Sequence, residues 1–380
     1  MGYFKKILIA IIVIISILIL SSLIMKRKQI YQIKHKLESS SNVLEGLSQN
    51  SSIYKSVKGE IAVVTIDEKK YPNVFQSLAS DMMSYPLNNF IVKSSYNSAY
   101  SGGFISDEMV GYVLSRGCRM IDFEVFYLPI GGSYNAYIGY SPTNSTTPNV
   151  KNNMDQLPSL YSMLKNCIGF AFKNSGNYNV NNKKDPLFIN IRLKVDQDKE
   201  SDLLKVIIQN IKQLQKESQY GDYFYKGQEV TPNTPMKYLM EKIIIVIQNT
   251  NTLQNMIDAG EINGSLFFRI NNTTNSPFEL MNETMINDLN KPPSAKNTYE
   301  ISKNHFRMVA PSNNGLSSNM DIYKTMQNVG ANFTMMMYYY ADRQLLLTED
   351  IFTTYKGGII PMTFGLQYIT KYPVIQNTPM

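Results

Sequence analysis

The stretch that decides the fold is FIVKSSYNSAYSGGFISDEMVGYVLSRGCRMIDFEVFY, which runs from Phe90 to Tyr127. It opens with a short apolar strand, passes through a polar turn into an amphipathic helix, and ends in a second strand that carries two acidic residues. A strand, a helix and a further strand in this order form the unit from which parallel sheets are built. The stretch therefore predicts the start of an α/β domain.

Strands and helices continue to alternate along the rest of the chain. Helical patterns occur at 157–172 and 200–218, and strand patterns recur at 187–195, 242–248, 264–270, 332–340 and 357–362. This order predicts a closed (β/α)8 TIM-type barrel over residues 61–380, with an open sheet as the alternative. The segment 271–297 is rich in Asn and Pro, and we interpret it as an insertion into the barrel.

Two of these strands have one polar face. Asp122 and Glu124 point away from the apolar residues of their strand, and Asn190, Arg192 and Lys194 do the same in theirs. In a barrel, these polar faces point into the mouth, where TIM-type barrels hold their chemistry. On an open sheet they would face solvent.

Charge and metal-ligating residues exclude two classes of function. The formal charge of the 380 residues is +7, but residues 1–38 hold seven basic residues and one acidic residue, which leaves the remainder at +1. A nearly neutral body argues against nucleic acid as a partner. The chain has two histidines and two cysteines, His35, His305, Cys118 and Cys167, without the spacing of a zinc site. We expect both cysteines to be buried free thiols, and a disulfide between them stays open.

The N-terminus carries an apolar run. Residues 7–25 contain nineteen residues without a charge, close to the length of about 20 that spans a bilayer as a helix. A cleaved signal peptide is the alternative, but its apolar region is usually about 7–15 residues long. We therefore predict a single-pass anchor within 1–28 and a juxtamembrane linker at 29–60.

Basic residues flank this run on both sides. The larger group follows it and predicts a cytoplasmic body and contact with anionic lipid; it comprises Lys26, Arg27, Lys28, Lys34 and Lys36. Several glycosylation sequons favour the opposite orientation unless they occur by chance in this Asn-rich chain, namely Asn144, Asn263, Asn282 and Asn332.

Several segments resemble the phosphoinositide-specific phospholipases C of eukaryotes. PLNNFIVKSSYNSAY (86–100), VLSRGCRMIDFEVF (113–126) and DPLFINIRL (185–193) are similar to the X region, which we place at 86–215. FRMVAPSNNGLSSNMDIYKTMQNVGANFTMMMYYY (306–340) and YKGGIIPM (355–362) are similar, more loosely, to the Y region, placed at 300–365. The resemblance implies a TIM-type barrel that cleaves an inositol phosphodiester with two histidines and a calcium ion.

The resemblance also implies where the family's catalytic residues stand. Tyr96 and Tyr140 occupy the positions of the two histidines. Of the four calcium-binding positions, Asn97, Asp122 and Glu124 keep oxygen ligands, whereas Arg192 replaces a glutamate. A guanidinium there could pair with both carboxylates and leave a net charge of −1, or the three charges could form a solvated cluster at the rim.

Substrate contacts of the family are also changed. Val246 and Gln248 stand where the resemblance implies phosphate-binding lysines, and Ala310 replaces a tyrosine near the inositol ring. Arg307 lies one position from the family's phosphate-binding arginine and is the remaining candidate for that role.

These substitutions predict a membrane-anchored pseudoenzyme with a binding or structural role and no cofactor. A tyrosine has an ordinary pKa of about 10 and is a poor general base at neutral pH. The alternative is a divergent phosphoric diester hydrolase that still uses a metal, calcium in the family, at Asp122 and Glu124. The excess of Asn, Ile, Lys and Tyr is typical of AT-rich coding sequences such as those of a large DNA virus or a protist, and a viral source would place the anchor in a virion or host membrane.

The anchor gives a direct test. The full chain should stay with membranes after alkaline carbonate extraction. The double substitution Ile14→Lys and Leu18→Lys should release it, because each lysine near the centre of a spanning helix costs roughly 2.5–3.5 kcal/mol. Release of the unmodified chain by carbonate would contradict the anchor.

Overall fold

The computed structural model describes residues 52–143, 145–173, 175–271, 278–282, 285–286, 305–312 and 318–373. The chain divides into two compact units, 1–56 and 57–380. The predicted anchor and most of the predicted linker lie outside the described residues. Across the part of the chain that is described, no helix has the length and apolar character needed to cross a membrane.

The second unit is an α/β barrel. Its strands are β1 (Phe90–Ser95), β2 (Met120–Ile130), β3 (Ser133–Gly139), β4 (Leu187–Lys194), β5 (Ile243–Gln248), β6 (Phe267–Ile270), β7 (Phe278–Asn282), β8 (Phe306–Ala310), β9 (Phe333–Met336) and β10 (Ile359–Pro361). The described helices are α1 (Ser52–Val64), α2 (Asp107–Ser115), α3 (Leu160–Lys173), α4 (Glu200–Lys216), α5 (Asn251–Asp258), α6 (Ile322–Val329), α7 (Arg343–Thr354) and α8 (Met362–Lys371). Helix α1 begins within the segment predicted as linker.

Parallel strands follow one another around the barrel in the order β6-β5-β4-β2-β1-β9-β8-β7. The two ends of this path meet where the backbone N–H of Asn271, just after β6, donates to the Phe278 carbonyl at 3.1 Å. The N–H of Leu280 returns a bond of 2.9 Å to the Asn271 carbonyl. The barrel is therefore nearly closed, and the open-sheet alternative is wrong.

The structure corrects two details of the sequence interpretation. The segment interpreted as an insertion, 271–297, contains β7, which is a barrel strand parallel to β8. The strand predicted at 357–362 exists as β10, but it pairs antiparallel with the start of β1 and is not one of the parallel strands. Strand β3, which the sequence did not predict, forms an antiparallel hairpin with β2.

Phenylalanine rings fill the interior of the barrel. The ring of Phe306 lies 4.9 Å from that of Phe333 and 5.3 Å from that of Phe268, and Phe188 lies 5.2 Å from Phe333. Phe188 of β4 is in register with Met120 of β2. At the start of both strands, the residues that point into the barrel are therefore apolar and belong to the core. Farther along these strands the faces turn polar, and the phenylalanine layer forms the floor of the site at the mouth.

A buried charge cluster joins β1 to α7. The Lys93 ammonium lies 2.7 Å from Glu349, Arg116 pairs with the same carboxylate, and the Tyr338 hydroxyl donates to it at 2.9 Å. Both partners of each ion pair are at most 1% exposed. Burial lowers the pKa of Lys93, and although burial alone would raise the pKa of Glu349, Lys93 and Arg116 hold it below its ordinary value. The cluster stabilises the fold only while its charges are balanced.

The Arg-Gly-Cys-Arg turn that precedes β2 supplies part of this packing. Arg116 also donates to the Tyr71 carbonyl at 2.9 Å, and Arg119 donates to the backbone and side chain of Asn182. Gly117 has a φ of +82°, and the Phe75 ring lies 2.5 Å from where a Cβ would stand. Only glycine fits there without strain. This conspicuous turn is therefore structural.

Removing the carboxylate from the buried cluster should destabilise the fold strongly. Glu349→Ala leaves Lys93 and Arg116 buried without a counter-charge, and loss of one partner of a buried ion pair costs about 3–5 kcal/mol. The free energy of unfolding, measured in urea at pH 7, should fall by that amount. The control Glu261→Ala removes an exposed carboxylate 4.0 Å from Lys205 and should change it by less than about 1 kcal/mol. Equal effects of the two changes would contradict this assignment.

Candidate functional site at the barrel mouth

Asp122 lies at the centre of the mouth and is completely buried. Its carboxylate accepts hydrogen bonds from the Asn97 backbone N–H at 2.9 Å and from the Asn190 side chain at 2.7 Å. It also accepts from the Arg192 guanidinium, at 3.0 Å from Nε and 2.8 Å from Nη2. Asn97 has a φ of 46°, a left-handed conformation that Asn tolerates better than most residues. This conformation allows the end of β1 to turn its N–H toward the carboxylate.

Arg192 connects the remaining members of the site. Besides Asp122, its guanidinium donates through Nη1 to Glu124 at 3.0 Å and to the Tyr96 hydroxyl at 2.9 Å. Nη2 donates to the Asn97 side-chain oxygen. The guanidinium carbon lies 4.2 Å from the centre of the Tyr96 ring, within the range of a cation–π contact. The structure thus brings together Tyr96, Asn97, Asp122, Glu124 and Arg192.

A second cation, which the sequence argument did not count, completes the site. The Lys194 ammonium lies 2.9 Å from Glu124, and its side chain is only 9% exposed. The register places Lys194 one inward position beyond Arg192 on β4. Two carboxylates therefore face two cations, and the formal charge of this group is zero rather than −1. The alternation along β4 already placed Lys194 on the correct face, but gave no sign of its partner.

Further tyrosines pack together beside the site. The rings of Tyr100 and Tyr140 stack at 3.8 Å with an angle of 6° between their planes, and Tyr339 packs edge-on against Tyr100 at 5.0 Å. Tyr96 is 3% exposed and Tyr140 is 7% exposed. Burial raises the pKa of Tyr96 and Tyr140 above the ordinary tyrosine value and raises the pKa of Tyr100 to about 12. All three hydroxyls therefore keep their protons near neutral pH.

Other residues singled out by the sequence do not join the group. Arg307 is corrected as a candidate for phosphate binding, because its guanidinium donates to Glu279 at 2.7 Å and to the Val329 carbonyl at 2.8 Å. Phe306 and Met308 take the inward positions of β8, so Arg307 faces the surrounding helices. Val246 is buried apolar core. His305 lies beside Glu279, with 3.5 Å between Nδ1 and the carboxylate.

The site does not suit a calcium ion as it stands. Calcium takes six to eight oxygen ligands, and affinity rises with the negative charge of the set. The oxygens that Asn97, Asp122 and Glu124 could offer already accept bonds from Arg192 and Lys194. Among the described residues, no group of three or more His, Cys, Asp or Glu side chains is placed to hold a metal. What the geometry provides is an internally neutralised polar cluster.

This neutralisation predicts a pH-dependent loss of stability on removing Arg192. Arg192→Ala leaves two buried carboxylates with Lys194 as their one cation and Asp122 without its ion pair, so the free energy of unfolding should fall by about 3 kcal/mol at pH 8. The loss should be smaller at pH 4.5, because protonating one carboxyl relieves the repulsion.

Urea unfolding at the two pH values measures both quantities. The control Arg269→Ala removes a guanidinium that pairs at 2.7 Å with the half-exposed Glu229 and should cost about 1 kcal/mol or less at either pH. A penalty for Arg192→Ala that grows as the pH falls would contradict the charge argument.

Comparison with known proteins found similarity to solved structures only. No family model and no curated protein matches the chain. Among solved structures, it is similar to PLC21 of L. pealei, with 16% identity, a TM-score of 0.49, and coverage of 73% of this chain and 37% of that one. PLC21 of S. officinalis gives 16% identity, a TM-score of 0.47, and coverage of 74% and 37%.

A bacterial structure is similar over its full length. The calcium-dependent phosphoinositol-specific phospholipase C of Pseudomonas sp gives 12% identity and a TM-score of 0.45, with coverage of 76% of this chain and 99% of that one. The chain thus spans little more than a third of either PLC21 chain and almost all of the bacterial enzyme. At these identities, the similarity to the phosphoinositide phospholipases C concerns the fold alone.

Proposed function

We propose that this protein is a membrane-anchored, phospholipase-C-like barrel that no longer catalyses phosphodiester cleavage and has a binding or structural role at a membrane. The observation that carries the proposal is the position of Arg192. Its guanidinium lies among Asn97, Asp122 and Glu124, the residues that correspond by sequence to the family's calcium ligands, and bonds to all three.

Loss of acid–base groups supports the proposal. Tyr96 and Tyr140 stand at the two positions where the resemblance implies histidines, and both hydroxyls have raised pKa values because they are buried. Each missing acid–base group typically lowers a rate by about 10²–10⁴. His305, the one histidine among the described residues, lies beside Glu279 on the outward side of the barrel and offers no replacement.

The ion pairs at the family's calcium positions also support it. A calcium ion would have to displace a guanidinium and an ammonium that already neutralise both carboxylates. The Arg192 side chain is 23% exposed and Lys194 only 9%, so these ion pairs are largely shielded from solvent. Low dielectric strengthens such pairs relative to water, and their removal would expose an uncompensated charge.

The stacked tyrosines restrict access to the same place. The rings of Tyr100, Tyr140 and Tyr339 pack against one another, and Tyr140 and Tyr339 lie close enough to Arg192 to feel its charge, so we infer that a substrate headgroup would meet them. Stacked and edge-on aromatic pairs add about 0.5–1.5 kcal/mol beyond their burial. An inositol ring would therefore have to break aromatic contacts as well as ion pairs.

The membrane part of the proposal rests on the sequence. The uncharged run at 7–25 and the basic residues that follow it support a single-pass anchor next to anionic lipid, with the body on the cytoplasmic side of a virion or host membrane. The ligand or partner of the barrel would then be met at that surface.

The proposal predicts no cleavage of phosphatidylinositol lipids by the full chain, with or without calcium. It also predicts no heat of calcium binding at a calcium concentration of about 1 mM, the weak end of protein calcium sites.

The double variant Arg192→Glu and Lys194→Gln should have a site with three carboxylates and recover calcium affinity. It should still be inactive, because Tyr96 and Tyr140 supply no imidazole. Arg192→Glu with Lys199→Gln is the control, since Lys199 is exposed and should leave the Lys194–Glu124 pair intact. Robust lipid cleavage by the unmodified chain would establish the alternative, a divergent phosphodiesterase.

A further inference from the structure

A groove on the outside of the barrel is unrelated to the mouth. It lies between α4 and the α5 region, has a volume of about 490 Å³, and is lined along one side by α4. Its floor is formed by Ile208, Met256 and Ile262, each between 5% and 7% exposed. A concave surface with an apolar floor and a polar rim has the general form of a helix-binding groove.

The rim of this groove is positively charged. Lys205, Lys212 and Lys216 line it, and all three are exposed. Glu261 is the acidic residue of the lining, and it reaches only Lys205, at 4.0 Å. Among the residues that the structure describes, no carboxylate lies within 4.0 Å of Lys212 or Lys216. Between 203 and 216 the sequence of α4 contains no Asp or Glu.

The spacing of the three lysines defines a register. They are separated by seven and four residues, which places them along one face of α4. At a rise of 1.5 Å per residue, Lys205 and Lys216 lie about 16 Å apart along the helix. A second helix laid against α4 could therefore meet all three with acidic residues at intervals of seven and four.

The geometry points to a docking site for an acidic amphipathic helix of a partner protein. Apolar residues of that helix would cover Ile208, Met256 and Ile262, and its carboxylates would pair with Lys205, Lys212 and Lys216. The groove favours a helix over a lipid surface because its apolar residues form a recessed floor between two elements and do not project from the protein. This inference does not depend on whether the barrel mouth is active.

A displayed library of helical peptides tests the register directly. The peptides carry a fixed leucine stripe, with Glu, Gln or Lys at three positions spaced seven and four residues apart, and are selected on the full chain in nonionic detergent. Glu should be enriched at all three positions. The selected peptide should bind at least tenfold more tightly than its Gln counterpart, measured by fluorescence anisotropy.

Charge reversal locates the binding. Lys205→Glu, Lys212→Glu and Lys216→Glu together should weaken the acidic peptide at least tenfold, and reversal of the exposed Lys184, Lys237 and Lys324 should leave its affinity within twofold. Urea unfolding of both triple variants shows that each remains folded. Equal binding to both variants, or no enrichment of Glu, would overturn the proposal. Two further outcomes would overturn it, because each identifies a different occupant of the groove. One is a dimer of the chain that the triple reversal at 205, 212 and 216 disrupts, and the other is binding to phosphatidylserine vesicles that the same reversal abolishes, in place of peptide binding.

Discussion

The charge of Asp122 is the constraint around which the barrel mouth is organised. A carboxylate with no exposed surface, held on a barrel strand, is too costly to leave without a counter-charge. In the protein this charge is met by Arg192, which reaches across from the neighbouring strand β4 and binds Glu124 at the same time. The guanidinium has the planar fork that suits two carboxylates, so one side chain satisfies several acceptors at once.

Aromatic rings pack around these ion pairs. Phenylalanine rings fill the barrel below them, and tyrosine rings pack together beside them. Asn190 and Lys194 add bonds to the same carboxylate oxygens that Arg192 contacts, and the Ser141 backbone N–H donates to the other oxygen of Glu124 at 2.8 Å. The two carboxylates of the mouth are thus fully buried, whereas the Arg192 side chain keeps 23% of its surface exposed. Partial removal from water strengthens each ion pair and makes it harder to break.

The inward-facing residues of the site could be predicted from the sequence where polar and apolar residues alternate clearly along a strand. The alternation in β2 and β4 correctly placed Asp122, Glu124 and Arg192 on inward faces, because both strands are long and regular. The alternation F-R-M in β8 likewise indicates that Arg307 faces outward, between the inward Phe306 and Met308. Strand β7 was missed because it is short and flanked by Asn and Pro, which usually mark loops.

Contacts between residues that are far apart in the chain could not be predicted from the sequence. Tyr100 and Tyr339 meet at the mouth although 238 residues separate them, and no local pattern distinguishes them from the other 24 tyrosines. Likewise, the alternation along β4 predicts that Lys194 faces inward, but its pairing with Glu124 depends on the register between β2 and β4. Register in a parallel sheet is set by packing across the whole barrel, which no single segment encodes.

The buried cluster of Lys93, Arg116 and Glu349 has a consequence for the order in which the chain can fold. Arg116 and Glu349 are 233 residues apart, so the first half of the barrel emerges from the ribosome with two cations whose counter-charge has not been made. At about 5–20 residues per second, that interval lasts roughly 10–50 s. Until α7 arrives, Lys93 and Arg116 are better hydrated than buried, and the layer between β1 and its helices stays open. Burial of this cluster therefore requires both halves of the barrel, because neither half holds both signs of its charge.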